Sequence, residues 1–328
     1  MEKGVGRILA SILIPVMLIS FTAQAASAGP VRDRLVERKA AQQGADLENL
    51  GSSDSAVPLP KGVKLLRDIS YGSGNKQRFD VYLPAHAKDA PVIFMVHGGA
   101  WRIGDKGAGA VVENKVARWA PRGFIFVSAN YRLLPEADPL QQAEDVAQAL
   151  AFAQARARAW GGDPAKFILM GHSSGAHLLA LLAAAPARTY GAGVKPWLGT
   201  VLLDSAAYDV EQIMGRDHLR IYDDAFGDQP AYWRSASPSL VISSSIAPVL
   251  AVCSSRREDS CTQARAFVAK AVSLRARAEV LEQDLSHREI NEDLGTSNAY
   301  TKAVEAFMGS LDASVARMLA APLPETRE

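Results

Sequence analysis

The 328-residue sequence predicts one doubly wound α/β domain built on a mostly parallel sheet, and three observations predict it. The first is a set of short, continuous apolar runs: Pro91–Val96, Phe124–Ser128, Phe167–Met170, Thr200–Leu203 and Pro248–Val252, with a weaker sixth at Ala278–Leu281. Strands that are apolar at every position belong in a parallel sheet buried on both faces. The second is the helical segments between and after these runs, at Gly109–Ala120, Gln141–Trp160, Ala176–Ala185, Ala264–Ala276 and Tyr300–Leu319. Short buried strands alternating with helices give a layered α/β domain with helices on both sheet faces. The third is composition: nearly half of the residues are apolar and under a quarter are charged. A chain of this length and composition can bury a large core of its own.

The elements follow in order. Residues 1–25 read as an export signal outside the fold. Lys3 and Arg7 mark a charged start, Ile8 to Phe21 is apolar apart from Ser11, Pro15 and Ser20, and Ala23-Gln24-Ala25 is a small-x-small cleavage site. The apolar run falls short of the ~20 residues of a membrane span. Cleavage would remove Glu2, Lys3 and Arg7 and take the formal net charge from +1 to zero. That balance gives no sign of nucleic acid or of a strongly acidic partner. Residues 26–60 form a charged, Ala/Gln-rich lead and a Gly/Ser/Asp/Pro linker. The α/β domain is expected over 61–311, with a helix end and tail at 312–328.

Within the domain, Leu65–Ile69 and Arg78–Leu83 alternate as strands around Gly72-Ser73-Gly74-Asn75, which predicts an antiparallel hairpin at the sheet edge. The segment from Ala206 to Ser245 breaks the strand–helix rhythm and carries Tyr208, Tyr222, Phe226, Tyr232 and Trp233. It reads as a small cap-like insertion over the carboxyl edge of the sheet, where ligands bind in such folds. Export also bears on Cys253 and Cys261, the only cysteines. In an oxidising compartment they are expected to bridge. The bridge would close a loop of about nine residues, a stabilisation of roughly 2.5 kcal/mol in the loop-entropy model.

The chemistry begins at Gly171-His172-Ser173-Ser174-Gly175, placed between the strand Phe167–Met170 and the helix from Ala176. A serine on a sharp strand-to-helix turn sits on a strained backbone, and small residues must flank it for the turn to close. Helix amides pointing at the same spot favour developing negative charge. Ser173 is therefore the candidate nucleophile. Upstream, the run Pro91–Val96 ends in His97-Gly98-Gly99-Ala100-Trp101, where consecutive glycines bring backbone amides close to a ligand. The amides of Gly99, Ala100 and Ser174 are the candidate oxyanion donors. Trp101 either lines the pocket or packs beneath it.

A base and an acid should follow the nucleophile in the order Ser, Asp or Glu, His. Of the six histidines, His97, His172 and His177 lie in or beside the motifs, and His86 and His218 lie in loops. His287 follows the last strand and leads into a C-terminal helix, which suits a loop-borne general base. The acid is expected after Pro248–Val252, where Glu258 and Asp259 are the carboxylates. The shorter Asp259 is preferred, with the role of orienting the imidazole and stabilising its cation. No set of His, Cys and carboxylates has metal-ligand spacing, and there is no glycine-rich phosphate loop, so neither metal nor cofactor is implied.

Taken together, His97-Gly98-Gly99-Ala100-Trp101, Asn130-Tyr131-Arg132-Leu133-Leu134-Pro135-Glu136, Glu144-Asp145-Val146, Gly161-Gly162-Asp163-Pro164 and Gly171-His172-Ser173-Ser174-Gly175 resemble the hormone-sensitive-lipase-related esterases of the α/β-hydrolase fold. The His-Gly-Gly-x-Trp form is closer to the BD-FAE-like branch of arylformamidases and feruloyl esterases. The resemblance spans roughly Leu65 to Leu311 and implies hydrolysis of a small-molecule carboxylic ester through an acyl-enzyme. One departure bears on the acid. The Gly-x-x-Asp turn usual after the acid-bearing strand is replaced by Cys253-Ser254-Ser255-Arg256-Arg257.

The sequence thus points to an exported, periplasmic or secreted serine carboxylesterase acting on small or medium acyl esters. The alternatives are an arylformamidase, an activity of intracellular tryptophan breakdown that the export signal disfavours, and a non-catalytic binding module on the same fold.

Overall fold

The computed structural model describes Met1 and residues 58–321. The chain divides after Ala40 into two units, and the fold lies in the second. The expected export signal and nearly all of the lead lie outside the described residues. Eight strands form one sheet: β1 (Lys64–Ser70), β2 (Arg78–Leu83), β3 (Ala90–Val96), β4 (Ile125–Ala129), β5 (Gly162–His172), β6 (Gly199–Leu203), β7 (Val249–Ser254) and β8 (Ala278–Gln283). Their order is β1-β2-β4-β3-β5-β6-β7-β8. The β1–β2 and β2–β4 pairs are antiparallel and all the others parallel. The hairpin therefore takes the edge, as its alternating pattern predicts.

Helices connect the strands: α1 (Gly109–Trp119), α2 (Pro139–Arg156), α3 (Ser174–Ala184) and α4 (Pro186–Gly191) come before β6. Four short ones, α5 (Val210–Met214), α6 (Arg220–Phe226), α7 (Pro230–Ser235) and α8 (Pro238–Val241), fill the segment between β6 and β7. Then follow α9 (Glu258–Ser273), α10 (His287–Glu292), α11 (Ala299–Gly309) and α12 (Ala313–Ala320). The central strands are buried at every position, and their side chains divide between two cores. Val92, Phe94 and Val96 of β3 face one core, which includes α3, while Ile93 and Met95 face the other with α1 and α11. That is the period-2 signature of a strand covered on both sides. Helix α3 is buried all round, which only the centre of a layered domain permits. No helix among the described residues is long and apolar enough to cross a membrane.

Two expected elements differ. The helix predicted over Tyr300–Leu319 is two helices, because Asp312 caps a new start by accepting from the amides of Ser314 and Val315. The helix predicted from Ala264 begins six residues earlier, at Glu258. Asp259 therefore lies in the first turn of a helix rather than in a loop.

Candidate active site

The strand β5 delivers His172, α3 starts at Ser174, and Ser173 between them has φ 53° and ψ −117°. For a residue with a Cβ this conformation costs of order 1–3 kcal/mol and survives only where surrounding packing enforces it. The packing here is close. A Cβ at Gly175 would lie 2.3 Å from the carbonyl oxygen of Val96 and 2.4 Å from that of His97. A Cβ at Gly171 would lie 2.7 Å from the carbonyl oxygen of Gly175. The Ser173 amide donates to Leu203 O at 2.8 Å, tying the turn to the end of β6.

Across the elbow lies the loop after β3. Gly99, Ala100 and Trp101 all have positive φ (128°, 50° and 60°), so three successive peptides turn left-handed. Arg102 and Ile103 close the turn by donating to Gly99 O, each at 3.0 Å. The amides of Gly99 and Ala100 donate to no backbone carbonyl among the described residues. Ser174 opens α3, where the first amides have no helical partner. The loop is held by the motif residues of its neighbours. Tyr131 Oη donates to His97 O (3.1 Å), Leu134 N and Gln142 Nε2 donate to Trp101 O (2.9 and 2.8 Å), and Asp145 binds Arg132 through both carboxylate oxygens (2.7 and 2.8 Å). Trp101 is buried, so it packs: its ring meets Phe226 edge-on at 4.9 Å, and its Nε1 donates to His177 Nδ1 at 3.2 Å. His177 in turn donates from Nε2 to Ala236 O at 2.8 Å, joining loop, α3 and the inserted helices. Burial lowers the pKa of His177 and of His97 to about 4, so both are neutral structural groups.

At the third corner a carboxylate other than the expected Asp259 lies beside His287. His287 opens α10 with Ser286 as its N-cap, and its Nδ1 lies 2.6 Å from Asp204 Oδ2. Asp259 is not at this place: it pairs with Arg216 at 2.8 Å and its side chain is 53% exposed. It points away because it sits on the outer face of the first turn of α9. The side chain of the other candidate, Glu258, lies outside the described residues. Asp204 directly follows β6, is fully buried, and has φ 52°. Its Oδ1 accepts from the Ser254 amide at 2.8 Å and from Ser260 Oγ, and its Oδ2 also accepts from Arg257 Nη1 at 2.7 Å. Burial by itself would raise the pKa of this carboxyl. The Arg257 guanidinium, the His287 contact and the Ser260 hydroxyl outweigh burial and hold it well below the usual carboxylate range.

Cys253 and Cys261 are disulfide-bonded across the loop that supplies all three of these donors. The His172 ring lies tilted against that of His287, with centroids 4.4 Å apart, and donates from Nε2 to His287 O at 3.0 Å, which seats the histidine corner beside the elbow. Burial keeps His172 neutral, its pKa well below the ordinary histidine value.

The structure thus brings Ser173, Ser174, Gly99 and Ala100 together at the carboxyl edge of the sheet, with His287 beside them, and leaves Asp259 out. Asp204 was missed, yet it carried a signal. It is the first polar residue after the apolar run Thr200–Leu203, on the strand that neighbours β5.

Comparison with known proteins agrees with this architecture. Residues 79–258 match the BD-FAE family model, over half of the chain, and the chain belongs to that family of the α/β-hydrolase fold. It is 33% identical over 164 residues to "Probable isoprenylcysteine alpha-carbonyl methylesterase ICME" of Oryza sativa subsp. japonica, covering 48% of this chain and 39% of that protein. It is 27% identical over 153 residues to a kynurenine formamidase of Danio rerio, covering 46% of this chain and 49% of that one. The chain therefore spans under half the length of these curated relatives. In three dimensions it is similar to esterase B of Lactobacillus rhamnosis, with a TM-score of 0.65 at 19% identity, over 87% of this chain and 95% of the other.

Proposed function

We propose that this chain is a serine carboxylesterase with Ser173 as nucleophile, His287 as general base and Asp204 as the acid behind it. The observation that carries the reading is the 2.6 Å contact between His287 Nδ1 and the buried Asp204, set beside a serine in a strained strand-to-helix turn. At that distance Nδ1 carries the proton and donates it to Oδ2, so the lone pair of the neutral ring is on Nε2, the base. In the first half-reaction Ser173 Oγ attacks the ester carbonyl carbon and passes its proton to Nε2. The oxyanion is held by the amides of Gly99, Ala100 and Ser174, each such donor being worth about 10²–10³ in turnover. Collapse expels the alcohol, which takes the proton from the imidazolium, and water repeats the sequence on the acyl-serine.

Small or medium acyl esters suit the site, since Phe226 and Tyr222 of the segment after β6 pack against Trp101 of the loop after β3. A second reading, hydrolysis of an aromatic formamide, is supported by the similarity to the kynurenine formamidase. Export to the periplasm or beyond belongs to the same proposal and rests on residues 1–25. Ser173→Ala should abolish both p-nitrophenyl acetate hydrolysis and labelling by a fluorophosphonate probe; a variant that still labels would overturn the reading. A panel of acyl esters, feruloyl and acetyl-xylan esters and N-formylkynurenine separates the two substrate classes.

A further inference from the structure

We propose that Arg257 is a positioning residue that clamps Asp204 against His287 and shifts the working range of the pair toward acid, a role that rests on the reading of Ser173, His287 and Asp204 given above. Arg257 stands in the stretch that replaces the family's usual acid turn, so a cation occupies the neighbourhood where a carboxylate is expected.

Its Nη1 lies 2.7 Å from Asp204 Oδ2, 3.1 Å from Asp204 O and 2.9 Å from His287 Nδ1. It donates to the two oxygens. The approach to Nδ1 is a charge contact, because Nδ1 already gives its proton to Oδ2. The clamp grips both the backbone and the side chain of Asp204, so the carboxylate cannot rotate away from the imidazole. The Arg257 side chain is mostly buried, as is the carboxylate it meets, so water screens the pair little. The loop that carries it is closed by Cys253–Cys261, and the same loop supplies Ser254 N and Ser260 Oγ to the other carboxylate oxygen.

A guanidinium in contact with an imidazole opposes a second positive charge there. The groups facing the pair are accounted for element by element. His172 at the end of β5 is neutral, and Tyr208, Tyr222 and Tyr300 are held protonated by burial. Lys115 of α1 donates to Asn291 O of α10, and its charge also acts on His172. Asp259 is matched by Arg216, and Arg256 by Asp284 and Glu289. Arg257 is a cation in direct contact with both Asp204 and His287.

The experiment measures kcat and KM for p-nitrophenyl acetate from pH 4 to 9 in wild type, Arg257→Gln, Arg257→Met and Arg257→Lys, with thermal unfolding as a fold control. In a folded neutral variant the acid limb of kcat/KM should move up by about one pH unit. Its kcat should fall at least tenfold with KM held within about twofold. Arg257→Lys should keep the limb in place and regain most of kcat. Neutral variants that lower only the melting temperature, leaving limb and kcat unchanged, would overturn the proposal. A tenfold rise in KM with the limb unmoved would also overturn it, by placing Arg257 in substrate binding. If Ser173→Ala is dead and these variants behave as wild type, the clamp fails while the esterase reading stands. If Ser173→Ala stays active, that reading itself fails.

Discussion

The two corners of the site that frame His287 are built on different physics. The serine elbow is steric: Ser173 holds its backbone because Gly171, Gly175 and the end of β3 leave room for one path only. The acid corner is electrostatic. Asp204 is held by four donors from two segments: Ser254, Arg257 and Ser260 between the bridged cysteines, and His287 at the start of α10. A steric constraint demands particular residue types at fixed spacing, so it writes a motif. An electrostatic socket demands only that donors converge in space, and many sequences do that. The proposed nucleophile and oxyanion loop are legible in a single sequence for the first reason, and the proposed acid is not, for the second.

The sharpest way to break the comparison is at the two aspartates. Asp204→Asn should cost about 10⁴ in kcat, because an amide cannot hold the Nδ1–H tautomer or stabilise the imidazolium. Asp259→Asn should stay within about twofold of wild type, since that side chain is half exposed and pairs with Arg216. Equal losses in the two variants would return the acid to the loop after β7.

The same contrast accounts for what else was readable. The apolar runs located β3, β4, β6, β7 and the buried second half of β5 because a strand covered on both faces has little room for polar side chains, whereas β8 at the sheet edge is only partly buried and its run is correspondingly weaker. The helix ends were less legible. The start of α9 at Glu258 has no side-chain cap to announce it, and the break at Ser310–Asp312 depends on one aspartate cap inside an otherwise continuous pattern. Asp204 is hard to pick out because it stands one strand earlier along the chain than Glu258 and Asp259. The proposed acid, Asp204, directly follows β6, and the stretch after β7 supplies three of the groups that hold it. The stretch Cys253-Ser254-Ser255-Arg256-Arg257, read as a lost acid turn, is the wall of a socket for an acid from the preceding strand.

The steric side is tested at its tightest glycine. Gly175→Ala should destabilise the protein by about 2–3 kcal/mol, because backbone carbonyls rather than flexible side chains meet the new methyl. Gly191→Ala, where nothing lies within 4 Å, should stay within about 0.5 kcal/mol. Urea unfolding of both variants measures the difference, and similar values would mean that the elbow relaxes freely. On the electrostatic side, the Cys253→Ala/Cys261→Ala pair should lose about 2.5 kcal/mol by loop entropy. It should also lower kcat more than KM, since the freed loop carries three of the four donors to Asp204. A stability loss with unchanged kcat would separate the bridge from the socket.

The smallest effect concerns how the histidine is supported, and it depends on pH. Helix α10 ends with carbonyls that have no helical partner, and α1 supplies donors to them: Lys115 Nζ to Asn291 O at 2.5 Å and Asn114 Nδ2 to Glu292 O at 2.7 Å. Lys115 is buried, and burial lowers its pKa to about 7, with Glu292 and Asp293 opposing the shift only in part. Below pH 7 the lysine is protonated in both folded and unfolded chains, and the folded state carries the full cost of the buried charge. Between about pH 7 and the ordinary lysine range, the folded chain holds it neutral while the unfolded chain stays protonated. The unfolded state then binds more protons, so stability must rise with pH there, by at most about 1.4 kcal/mol per unit. Lys115→Met removes the titrating group and should flatten that rise between pH 7 and 9, whatever it does to stability at a single pH. Urea midpoints at pH 7, 8 and 9 for both proteins measure the two slopes. Parallel slopes would mean that Lys115 stays charged in the fold and that α10 is anchored to α1 by an ammonium ion.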